Sequence, residues 1–318
     1  MEQEVTAFIQ KKHLLTKGAT VMVGVSGGPD SMALLHYLCE KRATWDLHLI
    51  AVSVDHQLRG QQSREDVLYV EKMCKAWDVD FAGGAVDVKA YKKRTHAGTQ
   101  QACRILRYQF FEEQMKTYQA DYLALAHHGD DQVETLLMRL TRVADAQQFS
   151  GIPLTRPFAG GMIIRPFLCV TRQQIDAYLA KHGIVPRLDP SNLETDYTRN
   201  YFRKYVVPLL RNKNTNIHHT QQHLSETLHE DEVFLREEAR KMAKKVITCN
   251  QNSHTVSFEI TAFQSYPTAL QRRVYHLILN YLYQSLPKNL HICMKRIFLR
   301  CSTVQMELPV LIFPMGLR

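Results

Sequence analysis

Apolar residues along the first 150 positions fall into short runs separated by longer stretches with helical spacing. Residues 1–18 read as a short helix, and Val21, Val23 and Val25 mark a first strand. A second apolar run covers 47–54, followed by helical spacing over 63–77 with Val67, Val70, Met73 and Cys74 on one face. A third strand is predicted over 80–88, weakened by Gly83 and Gly84. The next helix, over 101–118, carries Ile105, Tyr108, Phe111 and Met115. Residues 121–126 give a fourth strand and 130–142 a further helix. Such alternation predicts an α/β fold, a doubly wound parallel sheet with right-handed crossovers. Ligands of such sheets sit beyond the carboxyl ends of the strands. Ser26, Asp55 and His127 each stand just past a predicted strand end, so they should meet in one crevice.

After Gly151 the pattern changes. An edge strand is predicted over 163–167, and Thr171 caps a helix over 171–182 that Gly183 stops. Residues 188–203, rich in Asn, Asp and Arg, read as a loop. A long polar helix over 215–246 carries a narrow apolar stripe of Leu224, Leu228, Leu235, Ala239, Met242 and Val246. A strand over 255–260 and an apolar helix over 270–286 follow, and 287–318 has poor periodicity. The expected organisation is a large domain over 1–213, a connecting helix over 214–246 and a small, mostly helical substrate-binding domain over 247–318.

The 318 residues and an apolar fraction of 45% suffice for a substantial core. A net charge of +9 favours a polyanionic partner. Seven dispersed cysteines without a Cys-x-x-Cys argue against a zinc ribbon or an iron–sulfur site and fit a reducing compartment. The charged, polar opening predicts no signal peptide, and no apolar run approaches bilayer length. The expected location is the cytoplasm, with no membrane contact.

The most telling chemistry lies at the end of the first strand, in Ser26-Gly27-Gly28-Pro29-Asp30-Ser31. Gly27 and Gly28 allow backbone angles and a close approach that a side chain would block. Pro29 suits the first helical position, with Asp30 and Ser31 in the first turn. The N–H groups of such a turn converge beside the positive helix end, which makes an anion site for phosphate. An ordinary strand–turn–helix corner is the alternative, but Ser and Asp on both sides of the glycines favour phosphate. No Gly-Lys-Ser/Thr follows, and the spacing is not Gly-x-Gly-x-x-Gly, which excludes the kinase-type loop and the dinucleotide fingerprint.

Two further clusters follow strands: Asp55-His56-Gln57-Leu58-Arg59-Gly60, and His127-His128-Gly129-Asp130-Asp131-Gln132-Val133-Glu134-Thr135. Asp131 and Glu134 share one helix face. These acidic groups could cap the helix, place a hydrated Mg2+ against phosphates, or hold an amino-acid ammonium. A His-rich zinc site is the competing arrangement. Arg104 and Arg107, three apart on the exposed side of a helix, suit bidentate phosphate contacts, although a solvated face reads the same way. Arg199 and Arg203 end a polar stretch that could meet a nucleotide phosphate or an RNA backbone.

The 26–31 loop resembles the pyrophosphate loop (PP-loop) of the ATP pyrophosphatases, which cut ATP between its α- and β-phosphates. The two clusters above, Arg104-Ile105-Leu106-Arg107-Tyr108, Arg165-Pro166, and Asp189-Pro190-Ser191-Asn192 with Thr198-Arg199-Asn200 make the chain similar, over roughly its first two thirds, to the tRNA(Ile)-lysidine synthetases. The resemblance implies an ATP-dependent C–N ligase. It would adenylate the wobble cytidine of the CAU-anticodon tRNA(Ile) and join free L-lysine to it, releasing AMP and pyrophosphate. It further implies that Ser26, Gly27, Gly28, Pro29, Asp30 and Ser31, with Asp55 and His56, bind ATP. By the same resemblance Asp30 and Asp131 hold Mg2+, Asp130 being the alternative to Asp131. His128 and Glu134 hold lysine, and Arg104, Arg107 and Arg199 stabilise phosphate charge. A monomer or homodimer is implied.

Departures from the family pattern are local. Residues 140–151 lack most of the glycines of the usual Arg-Gly-x-Gly segment, and Tyr201 replaces a usual basic residue. Residues 287–318 are too few for the third, RNA-binding domain of the long forms, as in a short form or a truncated tail. Two other functions fit parts of the pattern. One is a tRNA thiolase of the same superfamily, for which Cys103 is the only thiol near a motif; the other is a nucleotide- and tRNA-binding homologue with weakened catalysis.

Overall fold

The computed structural model describes residues 1–142, 149–187, 198–250, 255–258 and 260–283. In chain order the elements begin with α1 (Glu2–Lys11), β1 (Thr20–Gly24), α2 (Pro29–Trp45), β2 (His48–Asp55), α3 (Gln61–Ala76) and β3 (Asp80–Ala85). Then come α4 (Val88–Thr95), α5 (Thr99–Thr117), β4 (Tyr122–Ala124), α6 (Gly129–Arg142), β5 (Thr155–Phe158), β6 (Gly161–Ile164) and α7 (Arg172–Lys181). A further group is α8 (Thr198–Tyr201), α9 (Val207–Lys213), α10 (Ile217–Val246), β7 (Ile247–Asn250), β8 (Thr255–Phe258), α11 (Ile260–Gln264) and α12 (Thr268–Tyr283).

Six strands form one sheet in the order β3-β2-β1-β4-β6-β5, parallel except for the antiparallel β5–β6 pair. Successive side chains of a strand face opposite ways. Val21, Val23, Leu49 and Ala51 accordingly join the core beneath α1, α2, α3 and α7, whereas Met22, Ile50 and Val52 pack with Phe111 and Met115 of α5. Both faces are covered at the centre of the sheet, which is why β1 and the first half of β2, Leu49–Val52, read as unbroken apolar runs.

Several expectations meet corrections. The third strand stops at Ala85, because Asp87 accepts a hydrogen bond from Ala90 N at 2.8 Å and starts α4. The strand predicted over 163–167 is not an edge: β6 lies inside the sheet, and β5, with Pro157, takes the edge. Pro166 then turns the chain into a short 3-10 helix, Pro166–Cys169. Thr171 caps α7 as expected, through a reciprocal capping box with Gln174. The strand at β8 pairs with β7, a strand directly after the long helix that the sequence pattern did not predict. Part of the region expected as loop, 198–203, is helical: α8 covers Thr198–Tyr201, and a π-helical turn at Phe202–Val206 follows it. The segments 188–197 and 143–148 and the tail after 283 lie outside the described residues, and with them Asp189, Ser191, Asn192 and the glycine-poor segment.

The chain divides into two compact units, Met1–Leu228 and His229–Arg318, the division falling within α10. The second unit has its own core of Ala239, Met242, Phe263, Val274 and Ile278.

Candidate active site

Strand order reverses at β1 and β4, and the crevice at their carboxyl ends is where an α/β sheet binds ligands. The 26–31 loop leaves β1 there. Gly27 has φ +81°, a left-handed conformation that glycine adopts without strain. Ser26 N donates to Ser31 Oγ at 3.1 Å, and Ser31 Oγ donates to Gly28 O at 2.9 Å, so the turn is braced by its own serines. Arg187 N donates to Gly27 O at 2.9 Å from outside, while the Arg187 side chain pairs with Asp66 at 2.9 Å.

The start of α6 supplies the acidic wall. Asp131 Oδ2 accepts from His128 N at 3.0 Å, so it caps its own helix as the plain reading of these acidic groups anticipated. It does more, because Oδ1 accepts from Arg199 Nη2 at 2.8 Å. Glu134 is fully buried and accepts from Arg199 Nε at 2.7 Å and Arg203 Nε at 2.6 Å. Asp130 accepts from Arg172 N at 2.9 Å and pairs with Arg211. Asp30, in the loop, faces Arg172 Nη1 at 3.4 Å and His128 Nε2 at 3.8 Å. Burial raises the Asp30 carboxyl above its ordinary value. Burial would also raise Asp131, but the opposing charges of His128 and Arg199 hold it well below the usual carboxylate range.

The other wall carries His56, Arg107 and His127. Burial, then the charge of Arg107, lowers His56; burial pushes His127 down to about 3. Arg107 bears on both imidazoles and so links the ends of β2 and β4. It is mostly shielded from water, which corrects the expectation that both arginines stand on the exposed side of α5. Arg104 is exposed, its guanidinium 4.9 Å from the centroid of the Tyr108 ring, which Arg156 also approaches at 5.4 Å. Asp55 accepts from Gln57 N at 2.7 Å, holding the turn after β2.

The structure therefore brings Asp30, His128, Asp131, Glu134 and Arg199 into one contact network beside the 26–31 loop. Asp55 and Arg104 stand outside that network. Arg172, Arg211 and Arg187 were missed by sequence reasoning; Arg172 pairs with Asp176 one helical turn on, but the contacts that bring these three arginines to the crevice, to Asp30, Asp130 and Asp66, span 42 to 142 residues, and no local pattern marks them. Four buried polar atoms near the crevice have no hydrogen-bond partner among the described residues: Asp30 Oδ1, His56 Nδ1, His127 Nδ1 and His128 Nδ1. Unsatisfied groups on this scale mark a place built to receive polar ligand atoms. Asp30 offers a spare carboxylate oxygen, which fits a hydrated Mg2+. Asp131, engaged by Arg199, offers none in this arrangement.

A family model described as a PP-loop domain matches residues 1–210. The chain is 47% identical over 318 residues to a tRNA(Ile)-lysidine synthase of Oceanobacillus iheyensis, covering all of this chain and 68% of that protein. It is 46% identical over 290 residues to the Geobacillus kaustophilus protein of the same name, covering 91% of this chain and 62% of the relative. The chain thus spans about two thirds of the length of these relatives. Among solved structures, a U34-tRNA thiolase, NcsA, of Methanococcus maripaludis superimposes with a TM-score of 0.61 at 17% identity, covering 72% of this chain and 79% of that one, which is a likeness of fold. With a PP-loop at the sheet's switch point and this identity along its whole length, the chain belongs to the tRNA(Ile)-lysidine synthase family.

Proposed function

We propose that the chain ligates the ε-amine of free lysine to the wobble cytidine of the CAU-anticodon tRNA(Ile), using ATP and releasing AMP and pyrophosphate. The observation that carries this reading is the unpartnered Asp30 Oδ1 beside a serine-braced glycine turn, joined through His128 to the carboxylates, Asp131 and Glu134, that gather Arg199 and Arg203.

The cytidine C2 carbonyl oxygen attacks the α-phosphorus of ATP, the α–β bridge breaks, and pyrophosphate leaves. Backbone N–H groups of the 26–31 loop take the leaving phosphates, with Arg107 and Arg199 offsetting the charge that develops. Asp30 would hold Mg2+, which when bound supplies further charge neutralisation. The lysine ε-nitrogen, as a neutral amine, then attacks C2, the bond to the adenylate oxygen breaks, and AMP departs. Its proton must pass to a base in the crevice, where neutral imidazoles stand.

Asp131 and Glu134 form a seat for a cation, and here guanidinium fills it. An entering lysine seats its α-ammonium there in place of Arg199, with His128 alongside, leaving its ε-amine free to attack and freeing Arg199 for phosphate. The same reading places the enzyme in the cytoplasm with its tRNA, as a monomer or homodimer.

The thiolase alternative finds little support. Burial raises the Cys103 thiol, and Cys39, Cys74 and Cys169 are pushed up to about 12, so none of these four is a ready thiolate. Lysine-dependent AMP release, measured with the CAU tRNA(Ile) against tRNA(Met), tests the proposal. Release with the first tRNA alone supports it; binding of ATP and tRNA without release would leave only a binding protein.

A further inference from the structure

Behind the crevice, α1 and the first turn of α10 bring together three side chains that the ligation chemistry does not use. Glu4 Oε1 and His219 Nε2 are 3.4 Å apart. With His218 they offer one donor atom each, all within 4.8 Å of one another. His218 is only 6% exposed, and its Nδ1 has no hydrogen-bond partner among the described residues. The two imidazole rings are stacked, their centroids 4.0 Å apart and their planes inclined by 38°. The second oxygen of Glu4 accepts from Gln174 Nε2 at 2.8 Å, and Gln174 is itself fixed by the α7 capping box. Outer contacts of that type orient a ligating carboxylate.

We propose that Glu4, His218 and His219 bind a divalent cation of the zinc class. Two imidazole nitrogens and a carboxylate suit Zn2+, whereas Mg2+ and Ca2+ prefer oxygen donors. A tetrahedral ion bound at about 2.0–2.1 Å spaces its donors about 3.3 Å apart. Glu4 and His219 already have that spacing, and a side-chain rotation of His218 closes the rest. Water completes the tetrahedron. The ion is structural: it ties α1 to α10 beneath the start of α6, where a Cβ added at Gly129 would come within 2.9 Å of His218 Cβ. The residue after Gly129 is Asp130, so the ion stiffens the wall from which the crevice carboxylates project.

The test uses the full chain, stripped with a chelator and titrated with Zn2+, or with Co2+ for its visible spectrum, in excess Mg2+. One Zn2+ per chain, a tetrahedral Co2+ spectrum and a Tm that rises with Zn2+ are expected. Glu4→Gln and His219→Asn, at half-buried and exposed positions, each weaken binding about tenfold or more. They should also remove the zinc-dependent rise in Tm while leaving the metal-free Tm near that of the parent. An absence of Zn2+ binding by the parent overturns the proposal. So does binding unchanged in both variants, which would assign the ion to other histidines among the chain's 15.

Discussion

Arg199 Nε donates to Glu134 Oε2 at 2.7 Å, and the carboxylate it meets is wholly shut off from solvent. The other oxygen of Glu134 accepts from Arg203 Nε at 2.6 Å. A buried carboxylate thus gathers two guanidiniums whose outer parts remain in contact with water. The arrangement stores positive charge at the crevice while keeping its anchor inside. It also makes Glu134 the residue whose removal should be felt most widely.

Glu134→Gln keeps the shape but removes the charge that two arginines share. Breaking a buried pair from the buried side costs about 3–5 kcal/mol, reduced here to about 2–3 kcal/mol because the arginines can turn to water. Arg203→Ala should cost less than about 1 kcal/mol, since Glu134 retains Arg199. Urea denaturation of the two variants checks the ordering. Equal losses would mean that Glu134 does not anchor the pair. On the proposed function, Glu134→Gln also raises the KM for lysine more than it lowers kcat for adenylation.

Asp30 and Asp130 should separate in activity. Asp30 leaves a buried oxygen unpartnered toward the crevice, whereas Asp130 is occupied by Arg172 N and Arg211. Asp30→Ala is expected to lower Mg2+-dependent pyrophosphate release by about 100-fold or more, the scale of losing one transition-state contact. Asp130→Asn should act mainly on stability. Pyrophosphate release over a Mg2+ titration distinguishes them, and a larger loss in Asp130→Asn would exchange the two roles.

What the sequence made legible was set by local physics. The first strands could be read because Val21 and Val23 face one core and Met22 the other, so no polar residue interrupts the run. The glycine turn could be read because its φ requires a particular residue. The edge strand β5 was hidden, since Thr155-Arg156-Pro157-Phe158 has neither alternation nor an apolar run. Arg211 was hidden because its partner, Asp130, lies 81 residues away, and the crevice role of Arg172 because its guanidinium reaches Asp30 across 142 residues, while its local partner, Asp176, reads as an ordinary surface pair. Asp131 and Glu134 were found as neighbours on one face, but their common partner Arg199 was not visible as such; only the resemblance pointed to it.

Acid should weaken the fold before the carboxylates titrate. His127 is held to about 3 by burial first, against about 6.5 in an unfolded chain. Below pH 6.5 the unfolded chain takes up a proton that the folded chain refuses. The stability contributed by neutral His127 is therefore whole above that pH and drains away as pH falls toward 3. His56 and His218 are shifted in the same direction, also by burial. Each histidine can add a slope of up to about 1.4 kcal/mol per pH unit. Asp131, held low, contributes stability that is lost only below about pH 3.9. Denaturant midpoints between pH 7 and 4 should fall, and His127→Gln should flatten the fall. An unchanged slope in that variant would show that His127 is protonated in the folded protein.

Gly27 tests the loop itself. Its φ of +81° costs a residue with a side chain about 1–2 kcal/mol. A Cβ there would lie 3.6 Å from Arg187 Cγ and from Asp66 O, which is ordinary contact, so Gly27→Ala should lose stability through strain rather than collision. Gly160 has φ +87° in the β5–β6 turn, and a Cβ there would meet nothing within 4 Å. Gly160→Ala therefore carries a similar strain far from the phosphates. Both variants should unfold at lower urea by a similar margin, but only Gly27→Ala should raise the KM for ATP, by about tenfold, the effect of misplacing one N–H donor. If both variants keep the parent KM, the 26–31 turn does not grip the triphosphate. If both raise it alike, the loss comes from general destabilisation and the loop has no special part in it.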